Sequence, residues 1–528
     1  MEVMAEDKSL NIEESLTSQN EMKQHLKKYG LLGFLFILNA GYLVLSLILT
    51  PEDPLVRIFI CGGIGTKIVL EVMPTHHLQP IFQHMEIVCM VFMKEGMVIK
   101  VVLEGLLLVG ILLVAVFTFT DSELTTSLQR CQSLLGLASF VGGLALTSRS
   151  FQKIPWKLVV PGILIQVLVG LYVMQTLVGK HIFLFISNQC VALLGFAMKG
   201  SGFVFGSLAQ NNVFAFIVLP AILFFSSLMQ VLYYLGVMQW LIGMLASFFK
   251  VTMGSSGCES TAAAAPFIGM IESTLTVKPF FEDMTQSELH QFLTSGLSNI
   301  AASVLIAFIR MGIYADTMIT SCVMLIPCSL SLSKLRYPET EGSRIKYDVN
   351  IDGKKQDTNL IHAAANGASQ GVTICMMVAG TLLPDISLLN LTDNILGYFR
   401  SFICLPNLSL FLVGSYIFTP FAWLIGVPWR ECQVVGQLMA MRMITNEFVA
   451  FTQLAELQAS HELSACTGIL ETYALCGFAN FASVGIQLSC IGGMAPSCKA
   501  DIAKLAVSAV ITGTMCIFVS VAIAGILI

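Results

Sequence analysis

Long apolar runs alternate with short polar breaks along this chain, and the length of each run decides what it can be. A helix rises 1.5 Å per residue, so about 20 mostly apolar residues cross about 30 Å of hydrocarbon. Gly30 to Thr50, Val102 to Thr120, Cys131 to Thr147 and Leu158 to Val178 approach or meet that length and are predicted to span. Leu55 to Met73 is a weaker span, because Arg57 and Lys67 lie inside it. Residues 74–100 carry His76, His77, His84, Lys94 and Lys100 among apolar neighbours, which predicts an amphipathic segment along the membrane surface.

From about residue 180 the pattern changes: apolar stretches are repeatedly interrupted by Gly, Pro, Ser, Asn and Glu. Met253 to Leu275 and Glu471 to Pro496 are too polar for helices bathed in lipid and too apolar for loops in water. Irregular backbone at membrane depth is tolerated only inside protein or along a water-filled cavity, and paired interrupted helices mark the binding site of a transporter. Substrate is expected between these two stretches. Each is followed by a long apolar helix, which predicts an internal pair of blocks without a residue-level repeat. Residues 339–357 and Ala455 to Ser464 read as the main exposed loops of the second half.

Composition confirms the solvent. Of 528 residues 55% are hydrophobic and 12% charged, with a net charge of −5, whereas soluble domains carry about 25% charged residues. A nucleic-acid binder is excluded, since no basic stripe exists. The fifteen cysteines stand singly in apolar stretches and read as small buried hydrophobes rather than zinc ligands. No P-loop, HExxH motif or Ser/His/Asp order occurs, so ATP-driven pumping and membrane hydrolysis lack residues to carry them, and the chain is not read as an enzyme. The polar segment 1–29 precedes an apolar run without a cleavage signal, which predicts a cytoplasmic tail and an anchor. Lys23, Lys27 and Lys28 before the first span and Arg149, Lys153 and Lys157 in a later loop lie on one side only if Leu55 to Met73 crosses.

Carboxylates in apolar surroundings carry the chemistry, because an ionised group at the bilayer centre costs several kcal/mol unless paired or bound to a ligand. Glu272 follows an Ala/Gly/Pro break and Glu447 sits beside Asn446, and both read as site residues. Glu259 and Glu471 read instead as helix-end carboxylates that reach water. Asn480 and Ser483 are three apart and share a helix face. Arg310 and Arg442 are expected to snorkel or pair.

The chain resembles the concentrative nucleoside transporter family, as a eukaryotic-type member. The resemblance rests on GSGFVFG (Gly200 to Gly206), FAFIVLP (Phe214 to Pro220), LYYLGVMQW (Leu232 to Trp240), MTQSELH (Met284 to His290), SKLRYPETE (Ser333 to Glu341), NEFVAF (Asn446 to Phe451), TYALCGFAN (Thr472 to Asn480) and MAPS (Met494 to Ser497). It implies an all-α polytopic membrane protein with extra N-terminal spans, two re-entrant hairpins and broken helices. It also implies a homotrimer in the plasma membrane that imports nucleosides by an elevator-type movement coupled to Na⁺ or H⁺. Along the chain this gives a tail over 1–29, extra spans and an amphipathic segment over 30–130, and the first part of the core over 131–250. The first hairpin and broken helix follow over 251–340, a polar loop over 341–358, and the second hairpin, broken helix and final spans over 359–528.

By position, the resemblance assigns Glu272 to nucleoside contact, Glu447 and Asn480 to the ribose hydroxyls with Ser483 beside them, and Phe478 to the base. Gly269 and Met270 resemble the pattern of purine-favouring members. Departures appear in AAPFIGMIESTL (Ala264 to Leu275), where the family reads G-N-x-F-x-G-Q-T-E-[AS]-P-L. The family's sodium ligands correspond to Ala265, Asn299 and the carbonyls of Ile268 and Ile300. Ala265 removes one oxygen, and the Asn299 carbonyl is a hard-cation ligand able to restore part of the shell. A proton taken up by a carboxylate such as Glu272 is the alternative coupling ion. A carrier of another small solute and a non-transporting sensor or scaffold of the same fold are the competing readings.

Overall fold

The structure, a computed structural model, describes residues 97–118, 125–210, 214–264, 273, 274, 277, 280–342, 357–403 and 409–528. The predicted spans Gly30 to Thr50 and Leu55 to Met73, most of the amphipathic segment, and the stretch Ala265 to Glu272 lie outside the described residues. The chain divides into two compact units, Met1–Met97 and Val98–Ile528. The second is described below.

All secondary structure among the described residues is helical. In chain order the helices are α1 (Met97–Thr118), α2 (Ser127–Leu146), α3 (Trp156–Gln175), α4 (Leu177–Phe205), α5 (Phe214–Tyr234), α6 (Val237–Met253) and α7 (Gly257–Ala264). They continue as α8 (Gln286–Ser298), α9 (Ala302–Arg310), α10 (Ala315–Arg336), α11 (Leu360–Ile403) and α12 (Leu410–Leu424). The last five are α13 (Cys432–Ile444), α14 (Glu447–Ala459), α15 (Ala465–Leu475), α16 (Phe481–Met494) and α17 (Lys499–Leu527).

Among the described residues, five helices are long and apolar enough to cross a membrane, and α5 and α6 form a sixth candidate bent by 76°. Their environments differ. Of the apolar window in α10, 94% is buried by other helices, and in α17 89%, against 17% in α1. The first two are therefore central posts, and α1 presents Leu103, Leu106 and Phe117 outward as a lipid-facing helix must.

Close helix approach needs small residues, since lipid supplies no hydrophobic drive between helices. A Cβ on Gly525 of α17 would lie 2.5 Å from Ser133 Oγ on α2, and one on Gly436 of α13 would lie 2.7 Å from the Ser415 carbonyl oxygen on α12. Phe140, Phe421 and Phe518 then join α2, α12 and α17, with centroids 5.6–6.2 Å apart. Each such pair contributes about 0.5–1.5 kcal/mol beyond its buried area.

The second half repeats one element order. Helix α7 precedes α8, a break at Asn299–Ala301, α9 and the long α10; the pair α13/α14 precedes α15, a break at Cys476–Asn480, α16 and the long α17. The expected pair of blocks is visible in this order. The anticipated loop at Ala455 to Ser464 is corrected in its first half: α14 runs to Ala459, and only the residues beyond it form the turn. Helix α2 begins four residues before the predicted span, and that extra turn carries Arg130, fully buried and donating from Nη1 to the Val116 carbonyl at 3.5 Å.

Two motifs meet at the base of the first block. Thr285 and Glu288 form a capping box on α8, with Thr285 N–H donating to Glu288 Oε2 at 2.9 Å and Glu288 N–H donating to Thr285 Oγ1 at 3.2 Å. Lys334 of α10, 2% exposed, pairs with Glu259, lies 3.7 Å from Glu339, and donates to Ser287 Oγ at 2.8 Å. Thr285 Oγ1 donates to Glu339 Oε2 at 2.7 Å. Glu259 therefore does not reach water as the sequence reading expected: it is 8% exposed, and a lysine 75 positions away in the sequence neutralises it.

Candidate functional site

Two helix starts and one helix end furnish the polar groups at the centre of the second block. The cap of α14 is Asn446, whose Oδ1 accepts from Val449 N–H at 3.2 Å, and this leaves Glu447 in the first turn of the helix. A carboxylate there sits at the positive end of the helix dipole and beside unpaired backbone N–H groups. The cap of α16 is Asn480, whose Oδ1 accepts from Ser483 N–H at 2.8 Å. Its amide nitrogen points the other way and donates to Glu447 Oε2 at 2.6 Å. Helix α15 begins at the Ser464 cap and ends at Leu475, so its last carbonyls face the same region.

Glu447 is 3% exposed, Asn480 0%, Ser483 5% and Phe478 8%. The structure thus brings the sequence-predicted Glu447, Asn480 and Ser483 together across 33 residues of chain. The group types gathered here are a carboxylate on Glu447, an amide with two N–H donors on Asn480 and a hydroxyl on Ser483. That set suits a solute with neighbouring hydroxyls, each a donor to a carboxylate and an acceptor from an amide. Phe478 lies in the same break, two residues before the Asn480 cap.

The two breaks touch. A Cβ on Gly477 would lie 2.6 Å from the Ser298 carbonyl oxygen, so glycine permits the second break to rest on the end of α8. The next residue of that helix end is Asn299, 1% exposed, with neither amide atom hydrogen-bonded. Its backbone is extended (φ −100°, ψ 164°), and Ile300 after it is fully buried. A buried amide with both ends open is a costly arrangement, about 1–3 kcal/mol per unmet group, unless a ligand completes it. Phe308 packs on Phe448 and Phe451 at 4.8 and 4.4 Å, tying α9 to the helix that carries Glu447. Gly269, Met270, Glu272, Ile268 and Ala265 lie outside the described residues.

Sequence reasoning missed three residues here. Gln487 is 1% exposed with both amide atoms unpartnered, and lies one turn beyond Ser483 on the same face; the 480/483/487 spacing was the signal. Of the two expectations for Arg442, snorkelling and pairing, the second holds: it is 1% exposed, donates from Nη1 to the Ala474 carbonyl at 2.5 Å, and faces both Glu447 and Glu471, a placement beside the site that the sequence did not show. Glu471 is corrected outright. It stands in the middle of α15, fully buried, with no hydrogen bond to either oxygen, so it is not a helix-end carboxylate in water.

Comparison with known proteins finds matches over most of this chain. Residues 135–208 match the model described as Na⁺ dependent nucleoside transporter N-terminus, residues 215–315 one described as Gate, nucleoside recognition, and residues 317–525 the Na⁺ dependent nucleoside transporter C-terminus. The chain is 34% identical over 521 residues to Sodium/nucleoside cotransporter 2 of Rattus norvegicus, covering 95% of this chain and 77% of that protein. Against Sodium/nucleoside cotransporter 1 of Oryctolagus cuniculus it is 34% identical over 521 residues, covering 95% and 78%. The solved structure of CNTnw in an inward-facing substrate-bound state superposes with a TM-score of 0.72 at 34% identity, covering 75% of this chain and 97% of that one.

Proposed function

Because this chain belongs to the Na⁺-dependent, concentrative nucleoside transporter family, we propose that it imports nucleosides across the plasma membrane, driven by the Na⁺ gradient. It is a multi-pass membrane carrier and not an enzyme. The observation that carries the reading is the buried hydrogen bond from Asn480 to Glu447, flanked by Ser483. A membrane interior tolerates such groups where a polar solute occupies them. The ribose hydroxyls bind Glu447 and Asn480, with Ser483 completing that side and Phe478 against the base.

The first hairpin brings Glu272 to the nucleoside from the other side, and Gly269 and Met270 line the base. Met supplies a polarisable apolar wall that suits a larger ring and demands no hydrogen bond, which favours purines over pyrimidines. For the ion, the open amide of Asn299 supports Na⁺ over a bare break: its carbonyl oxygen, with the carbonyls of Ile268 and Ile300, is a hard-cation donor set. Transport proceeds by an elevator-type movement of a transport domain against a scaffold within a homotrimer, the N-terminus being cytoplasmic. The exposed apolar residues Leu383, Leu388, Leu391 and Tyr398 of α11 are suited to lipid or to a neighbouring copy.

Uptake of radiolabelled adenosine and uridine in transport-deficient cells, with Na⁺ or choline outside, tests the proposal. Saturable, Na⁺-stimulated adenosine uptake that exceeds uridine uptake is expected. Uptake of neither nucleoside by protein present at the surface overturns it in favour of another solute or a sensor.

A further inference from the structure

Behind the Glu447–Asn480 pair lies a charge that the proposed nucleoside contacts do not use. Glu471 sits midway along α15, fully buried, and neither carboxylate oxygen has a hydrogen-bond partner. The charge that faces it is Arg442, which lies on α13, caps the end of α15 through the Ala474 carbonyl and also faces Glu447. The other neighbours of α15 add little charge: α14 supplies Glu447 itself, α10 supplies Asp316 and Cys322 beside Tyr473 and Cys476, and α17 carries no charged side chain from Leu505 onward. Two carboxylates therefore share one guanidinium in a dry interior, which leaves one negative charge unbalanced when both are ionised.

That imbalance calls for a cation. Hard metal ions take about six oxygen ligands or more, whereas Glu471 offers two oxygens beside a like-charged guanidinium. A proton needs one oxygen. We propose that Glu471 is a proton-binding site of the transport cycle, linked through Arg442 to the carboxylate of Glu447. The inference rests on the nucleoside-carrier reading above and adds a second coupled ion to it.

In the step itself, a proton from water forms an O–H bond with one carboxylate oxygen of Glu471, and that bond breaks to water on release. Glu471 stands seven residues, about 10 Å along the helix, from the exposed Ser464 cap. With the proton on, Arg442 and Glu447 balance to zero and the site closes away from water at low cost. With it off, closure buries an unpaired charge. Nucleoside binding that closes the site accordingly takes up a proton.

Calorimetry of adenosine binding to the purified full-length protein, in two buffers of different ionisation enthalpy at fixed Na⁺, reads this directly. The expected result is uptake of about one proton per adenosine, with apparent affinity rising up to about tenfold for each pH unit lowered. E471Q, a permanently neutral mimic, is expected to bind adenosine with the wild-type affinity found at acid pH, to take up no proton and to show a flat pH profile; Glu471→Ser serves as a second neutral variant. Adenosine binding by the wild type without proton uptake overturns the inference, as does wild-type proton uptake by either variant. If neither adenosine nor uridine binds, the carrier reading falls and this inference with it, whereas binding with an unaltered proton count removes this inference alone.

Discussion

Replacing Asn480 by Ser separates the two tasks of that side chain. The Oδ1 of Asn480 caps α16 through Ser483 N–H at 2.8 Å, while its amide nitrogen donates to Glu447 at 2.6 Å. Ser is about as good a cap as Asn, so the helix start survives the change. The donor to Glu447 does not, because a Ser hydroxyl ends about one bond short of the amide nitrogen. Hydrogen bonds to charged groups are worth about 1.5–3 kcal/mol, and here the abandoned carboxylate is 3% exposed and unable to turn to water. Adenosine affinity should therefore fall roughly ten- to 150-fold, at 1.36 kcal/mol per tenfold step. Thermal unfolding in detergent should shift less than for Asn480→Ala, by the cap's contribution of about 1 kcal/mol. Asn480→Asp should be worse than either for binding, since it keeps a cap but sets a second carboxylate against Glu447. Binding measured on purified protein, with uptake normalised to surface protein, decides the matter. An Asn480→Ser protein that binds adenosine within threefold of wild type would refute the assignment of the amide to the site.

Three further outcomes follow from other parts of the structure. Asn299→Ala should remove Na⁺-stimulated uptake, and Ala265→Asn should raise apparent Na⁺ affinity; uptake unchanged when choline replaces Na⁺ counts against a sodium site at the first break. Met270→Gln should raise uridine uptake relative to adenosine in a competition assay, by providing a partner for the polar edge of a pyrimidine, and an unchanged ratio argues against Met270 as a selector. Lys334→Met leaves Glu259 buried without its partner and should cost about 3–5 kcal/mol, read as a lower unfolding temperature and less surface protein, whereas Lys334→Met with Glu259→Met should recover most of the loss. Equal stability of the single and double variants would show that the pair carries no structural weight.

The chain disclosed its architecture where local chemistry decides it. Run length gave the helices α1 and α3, and the interrupted stretch Glu471 to Pro496 contains the break at Cys476–Asn480, because a helix that stops inside a membrane must change composition to do so; the break at Asn299–Ala301 lies outside both interrupted stretches and was not legible. Glu447, Asn480 and Ser483 were legible for the same reason: each is a polar residue at a helix start in apolar surroundings. Lys334 with Glu259, and Arg442 with Glu471, were not. In both cases the partner stands far along the chain, 75 and 29 positions away, and no periodicity relates them. A sequence shows the cost of burying a charge without showing which other charge repays it.

That asymmetry explains why both misread carboxylates were sent to the wrong place. Glu259 lies near the start of α7 and Glu471 lies within α15, and from sequence each had water as its cheapest partner. The fold closes that route by packing α10 and α17, its two most buried long helices, through the middle of the unit. Once water is excluded, Glu259 finds a full partner in Lys334, and the pair is neutral. Glu471 finds only a share of Arg442, which also faces Glu447. The first arrangement is at rest and ties α7 to α10. The second remains one charge short beside the proposed substrate contacts, and a carrier that must bind, close and release has use for a site whose charge is completed by what it transports.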